Sequence, residues 1–211
     1  MNLIRNLGLG DGLILVPAAL LFAKDDEIEF PALPRDVPTF ESIFASYPNV
    51  TVYPANNEAD MRSMGKGIVT GHAGGEPNGK ESLDRWFYRQ MHLPIEIRWE
   101  STAIRDACDD VIQEGVPDQP YIFVHDDIER PITRLDTNCL VVRPRASWDS
   151  MLECQAQIEN AQEIHVIPSS MKELVSSLEP TGRLYLHQYA RTPFNHVLDS
   201  TQSPHHWTVL V

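Results

Sequence analysis

The sequence predicts an α/β fold of parallel sheets with helices on both faces. Three observations predict it. The run Tyr121–Val124 after Pro120 is apolar, β-branched and aromatic without alternation, as expected of a strand buried on both sides. It stops abruptly at His125, Asp126, Asp127, Glu129, Arg130 and Arg134, a density of ionisable groups that open α/β sheets place at the carboxyl ends of strands, where ligands bind. Finally, strand-like and helix-like stretches alternate along most of the chain.

The elements follow in order. Leu3, Ile4 and Leu7 place a first strand within residues 1–7, and Gly8, Leu9, Gly10, Asp11 and Gly12 make a glycine turn. The apolar run Leu13–Ala23 reads as a buried helix that begins near Ile14, so that the missing N–H of Pro17 falls in its first turn. At 11 residues that run is too short for a membrane span and makes a poor signal peptide. The turn lacks the third glycine or alanine of a dinucleotide fingerprint, and Asp11 would face a pyrophosphate with like charge. Asp11 is therefore either a helix cap or a catalytic carboxylate.

Glu27–Phe30 reads as a second strand, Pro31–Pro38 as a loop, and Thr39–Tyr47 as a helix with Phe40, Ile43 and Phe44 on one face. Val50, Val52 and Tyr53 mark a third strand and Gly67–Thr70 a fourth. The glycine-rich loop Gly71–Gly79 either covers a ligand or only connects, and His72 is its one chemically capable residue. It is not a Walker-type phosphate loop, because Lys80 is off the spacing and Glu81 stands where Ser or Thr would bind magnesium. Helices are expected at Ser82–Met91, with Leu83, Trp86, Phe87 and Met91 as core, and at Ser101–Glu114, with Ile104, Ala107, Cys108, Val111 and Ile112 on one stripe. Pro94 breaks the pattern in 93–100 and divides the chain into halves of residues 1–95 and 96–211.

The second half repeats the alternation: strand Asn138–Val142, a helix through Met151, Cys154, Ile158 and Ala161, and strand Glu163–Ile167. A helix with Met171, Leu174, Val175 and Leu178 inward follows, closed by Gly182, and then strand Arg183–His187. Ser169 and Ser170 open that helix, either as a plain cap or as an anion site at the positive end of a helix dipole. His165 and His187 read as satisfied core histidines, Tyr189 and Arg191 as lining the same cleft as His125. His205, His206 and Trp207 read as an exposed tail, and the histidine pair there has no third metal ligand at a specific spacing.

Thirty acidic against 17 basic residues give a net charge of −13, which argues against a nucleic-acid partner, since that affinity rests on Lys and Arg neutralising phosphates. A few arginines gathered in one pocket would still suit a small phosphorylated ligand. Cys108, Cys139 and Cys154 lack the paired short spacing of a zinc site and read as reduced thiols, which suggests a cytoplasmic setting.

LGLGD at the first turn, YIFVHDD followed by Arg130, IENAQEIHVIPSS before a helix, and LYLHQYAR near the end together resemble small glycosyltransferase-like proteins of the GT-B type. These are distantly related to heptosyltransferases and fucosyltransferases, and the resemblance covers most of the chain. It implies two Rossmann-like halves in a reduced GT-B arrangement, residues 1–95 on the acceptor side and 96–211 on the donor side. The implied activity is sugar transfer from a nucleoside-diphosphate sugar to a glycan or other hydroxyl acceptor, inverting, with no metal and no resident cofactor. By the same resemblance Asp11 is the catalytic base and His125 the second catalytic residue. Gly8, Gly10, Arg130, Arg134, Ser169, Ser170, Tyr189 and Arg191 would bind the donor, arginine being suited to bidentate phosphate contact, while Asp126 and Asp127 would bind donor hydroxyls, orient His125 or Arg130, or form an ordinary strand-end salt-bridge network. Two alternatives stay open: a catalytically silent nucleotide- or sugar-binding relative, and a manganese-dependent transferase using Asp126 and Asp127.

Overall fold

The computed structural model describes residues 2–4, 8–57, 59–60, 67–70, 81–133, 135, 137–145, 150–191 and 204–211; for residues 2–4, 69 and 191 it describes the backbone alone. The loop Gly71–Gly79, with His72, and Arg134 lie outside the described residues. Strands β1 (Asn2–Ile4), β2 (Ile28–Ala32), β3 (Val50–Pro54) and β4 (Gly67–Val69) form one sheet in the order β3-β2-β1-β4. A second sheet, in the order β6-β5-β7-β8-β9, contains β5 (Tyr121–His125), β6 (Leu140–Val142), β7 (Glu163–Val166), β8 (Arg183–His187) and β9 (Trp207–Leu210). Every pairing is parallel. The strand order changes direction between β1 and β4 in the first sheet and between β5 and β7 in the second. Such reversals open a crevice at the carboxyl ends of the strands.

Helices α1 (Leu9–Phe22), α2 (Val37–Phe44), α3 (Leu83–Gln90), α4 (Ala103–Cys108), α5 (Gln155–Glu159) and α6 (Ser170–Ser177) are joined by 3₁₀ turns at Ile95–Trp99, Met151–Cys154 and Gln188–Arg191. Helix α1 packs on α6, and α2 on α4. One buried cluster runs from Phe30 and Phe40 of the first sheet's side, through Leu13, Leu15 and Trp86, to Phe123, Ile164 and Leu186 of the second sheet. The helical layer thus joins the sheets, whose strands come from either side of residues 93–100. The other face of the second sheet is covered differently. Ile122 and Val124 meet Ile132, Ile167, Leu135, Val141 and Ala190, so among the described residues loop and a 3₁₀ turn cover this face in place of the expected helices.

Several elements depart from expectation for identifiable reasons. Helix α1 begins at Leu9, so the glycine turn is its first turn and Pro17 lies in its interior. Pro17 has no N–H, and the buried Tyr88 hydroxyl enters the opened ladder beside it, donating to the Ile14 carbonyl at 3.1 Å while the Ala18 backbone hydrogen-bonds to its oxygen. Strand β2 runs through Pro31 and Ala32, which read as loop. Helix α4 stops at Cys108 rather than Glu114, and Ile112 is 92% exposed. The Gln113 side chain takes over there, donating to the Cys108 carbonyl at 2.7 Å and accepting from Ala156 N–H at 3.1 Å.

Trp207, which reads with His205 and His206 as an exposed tail, is buried and opens β9, with Leu184 to His187 paired to Trp207 to Leu210. Gly182 does not cap α6, which ends at Ser177. A Cβ there would stand 2.3 Å from the Ala161 carbonyl oxygen, so glycine lets two backbones approach as β8 starts. Cys108 and Cys154 are buried free thiols, and burial pushes Cys108 up to about 12.

Candidate functional site

The site is built from the carboxyl ends of both sheets. In the first, Gly8 is the extended N-cap of α1, and Asp11 lies in the first helical turn, where the helix dipole favours a carboxylate. Its Oδ2 stands 3.4 Å from the position a Gly8 Cβ would occupy, so the carboxylate folds back over the turn. A Cβ on Gly10 would stand 3.2 Å from Ser170 Cα and 3.5 Å from Ser170 N. The start of α1 therefore lies directly against the start of α6, and the two crevices meet. Gly8, Gly10, Asp11 and Ser170 are brought together; the absence of a Cβ at Gly10 is what permits it.

The second crevice lies between β5 and β7. Ser169 is the N-cap of α6, but its side chain caps no helix amide. Its hydroxyl donates to the Ile167 carbonyl at 3.1 Å and lies 3.4 Å from His125 Nδ1. With the serine proton committed to Ile167, His125 Nδ1 carries the hydrogen in that contact and Nε2 is left as the basic nitrogen; the tautomer is assigned from this network. Burial pulls the His125 pKa below the ordinary histidine value, against the opposing charges of Asp126 and Asp127. The imidazole is neutral at neutral pH.

The two aspartates build the turn after β5. Asp126 accepts from the Ile132 N–H at 2.9 Å and from Arg143 Nε at 3.2 Å. Asp127 accepts from the Arg130 N–H at 2.8 Å and pairs with the Arg130 guanidinium, whose hydrogen bond holds the Asp127 pKa below the usual carboxylate value. Arg130 is half-buried, and its Nε is buried with no hydrogen-bond partner among the described residues. Among the described residues, no three His, Cys, Asp or Glu side chains gather to hold a metal ion. Tyr189 sits in the Gln188–Arg191 turn with its hydroxyl 3.0 Å from His187 Nδ1. The side chain of Arg191 lies outside the description.

Sequence reasoning missed the ion-pair cluster at the start of α6. Arg98, 3% exposed, donates to Glu173 Oε2 at 2.6 Å and lies 3.6 Å from Asp84 Oδ2, and Lys172 Nζ adds a contact to Glu173 at 3.1 Å. Glu173 is the acid in the first turn of α6. Its pairing neutralises a charge that would otherwise oppose an anion at the start of that helix. The cluster joins residues 75 positions apart (Arg98 and Glu173), so no local spacing signals it.

The arrangement offers a carboxylate at one helix start, and a neutral imidazole, a half-buried guanidinium and uncapped helix amides at the other. It can take a proton on one side and hold negative charge on the other. Among the described residues no helix is long and apolar enough to cross a membrane. No family model matches the chain, and neither a curated protein nor a solved structure matches it.

Proposed function

We propose that the protein transfers a sugar from a nucleoside-diphosphate sugar to an acceptor hydroxyl, with inversion and without a metal. One observation carries the reading: the first turns of α1 and α6, each at the switch point of its own parallel sheet, lie against one another at Gly10 and Ser170. Group transfer between two substrates needs two binding crevices that share a reacting point. In this reading Asp11 takes the proton of the acceptor hydroxyl, while the Ser170 end of α6 and Arg130 stabilise the departing diphosphate. His125, neutral with Nε2 basic, accepts a hydrogen bond from a donor hydroxyl.

The fold of Asp11 back over Gly8 favours a second reading, a binding protein of the same architecture in which Asp11 only supports the helix start. A thermal-shift panel of GDP, UDP, ADP and CMP, with and without manganese, tests the first reading. A ligand bound only by the folded chain raises the melting temperature. A shift with one nucleoside diphosphate that needs no manganese and is lost in Arg130→Ala is the expected result. A shift that appears only with manganese, or none with any nucleotide, contradicts it.

A further inference from the structure

On the face of the second sheet turned away from the shared core, alternate residues of β7 and β8 are polar: Glu163 and His165, then Arg183, Tyr185 and His187. The parallel register sets Glu163 beside Arg183 and His165 beside Tyr185, and the His165 and Tyr185 rings stack with centroids 4.5 Å apart. Four side chains join in one line. Glu163 Oε2 is 3.1 Å from His165 Nε2, His165 Nδ1 is 2.9 Å from His187 Nε2, and His187 Nδ1 is 3.0 Å from Tyr189 Oη. His165 is 6% exposed and His187 is 0% exposed. Arg183 pairs with the other carboxylate oxygen of Glu163 at the amino edge of the sheet.

The protons in this line can be counted. An ionised Glu163 has no hydrogen to give, so His165 donates from Nε2. Neutral His165 must then accept at Nδ1, which makes His187 donate from Nε2. Neutral His187 in turn accepts at Nδ1, so the hydroxyl proton of Tyr189 points into the line. Every bond donates the same way, from Tyr189 toward Glu163. Burial keeps both rings in the neutral form that this count requires.

The Tyr189 end lies at the candidate site. Its neighbour Ala190 packs on the cluster of Ile122, Val124, Ile132 and Ile167, which holds residues of β5 and of the loops that follow β5 and β7. Asp126 is close enough to act on His187 electrostatically.

We propose that Glu163, His165 and His187 are positioning residues that fix Tyr189 as a proton acceptor at the rim of the candidate site, toward a ligand hydroxyl or amine. With its own proton committed inward, Tyr189 can only accept further hydrogen bonds. When a ligand O–H gives its proton to Tyr189 Oη, the tyrosine proton passes to His187 Nδ1, the His187 Nε2 proton to His165 Nδ1, and the His165 Nε2 proton to Glu163. Each group gains one proton as it loses one, the ligand oxygen keeps the electron pair of its broken bond, and the excess proton leaves through the partly exposed Glu163 carboxyl. This holds for any hydroxyl- or amine-bearing ligand and does not rest on the sugar-transfer reading.

The test needs no substrate. Long-range ¹H–¹⁵N correlation of the full chain labelled in histidine, at neutral pH, reports which ring nitrogen carries hydrogen, with signals assigned from His165→Asn and His187→Asn. The expected result is that His165 and His187 are both neutral with hydrogen on Nε2. Hydrogen on Nδ1 of His187, or a doubly protonated ring, overturns the proposal. Glu163→Leu then removes the group that sets the direction. His187, two hydrogen bonds away, is expected to change to a mixture of tautomers, a response that packing alone would not produce. A His187 tautomer unchanged in a folded Glu163→Leu protein overturns it as well.

Discussion

The two crevices are built alike and charged differently. Each lies where the strand order of a parallel sheet reverses, and each is closed by the first turn of a helix, α1 or α6. Helix α1 is 14 residues long, is N-capped by Gly8 and carries a carboxylate, Asp11, in its first turn. Helix α6 begins on serine and carries in its first turn a carboxylate, Glu173, that Arg98 and Lys172 neutralise. The lesson is that the same backbone device, a helix start at a sheet reversal, takes its chemistry from the side chains around it. Where Arg98 and Lys172 pair the acid of that turn, as in α6, the helix start suits an anion.

Four changes break or sharpen that comparison. The largest effect is expected from Asp11→Asn, which removes the carboxylate of the first crevice without altering its shape. Turnover in a transfer assay falls about 10²–10⁴-fold, while nucleoside-diphosphate affinity measured by calorimetry stays within about threefold. An Asp11→Asn protein with unreduced turnover would place the base elsewhere. Next is Gly182→Ala, which removes the frame of the second crevice. Its Cβ would meet the Ala161 oxygen at 2.3 Å and the Gln162 oxygen at 2.8 Å, and urea unfolding should show a loss of about 3 kcal/mol or more.

The third has a pH signature. Among the described residues the buried imidazoles, His165 and His187, belong to the second sheet. Burial, with the neighbouring His165 next, lowers His187 from 6.5 to about 4. The unfolded chain therefore binds the proton first as pH falls, so this group costs stability between about pH 6.5 and pH 4 and nothing above that window. Unfolding free energy should drop by roughly 2–3 kcal/mol more in the wild type than in His187→Gln between neutral pH and pH 4. Equal pH dependence in the two proteins would show that His187 is not held neutral. The smallest effect is expected from Gly10→Ala, whose Cβ at 3.2 Å from Ser170 Cα pushes the helix starts apart by a few tenths of an ångström. Stability changes by less than about 1 kcal/mol, because helix propensity gained offsets the contact strained, and the effect should show instead as weaker nucleotide binding.

Much of the second sheet was legible from β5, a continuous apolar run. Tyr121–Val124 is buried throughout and ends at His125, as its composition predicted. Where the sequence misled, a distant partner had changed a local rule. Pro17 marks a helix start unless something repairs the interior of the helix, and Tyr88, 74 residues away, does so. The stripe from Ile104 to Ile112 continues on paper past Cys108, but the Gln113 amide ends the helix there. Trp207 looked like part of a tail with His205 and His206 because a four-residue strand carries little periodicity without β8 beside it. The Glu163–His165 and Arg183–Tyr185–His187–Tyr189 alternation was a visible signal of one polar sheet face, since residues two apart share a side. It was missed because each histidine was weighed by itself. In the site, the strand-end position of His125 and the helix start at Ser169–Ser170 were legible, whereas the contact of α1 with α6 and the Arg98–Glu173 pair are tertiary and leave no local pattern.

The central claim is that the two helix starts serve one ligand. Hydrogen–deuterium exchange of the full chain, with and without the nucleoside diphosphate or its sugar conjugate that gives the largest thermal shift, tests it most directly. The account predicts that the sugar conjugate slows exchange both at the amides of 8–11 and at those of 169–171. Protection confined to 169–171, with 8–11 unchanged by the sugar conjugate, would contradict it.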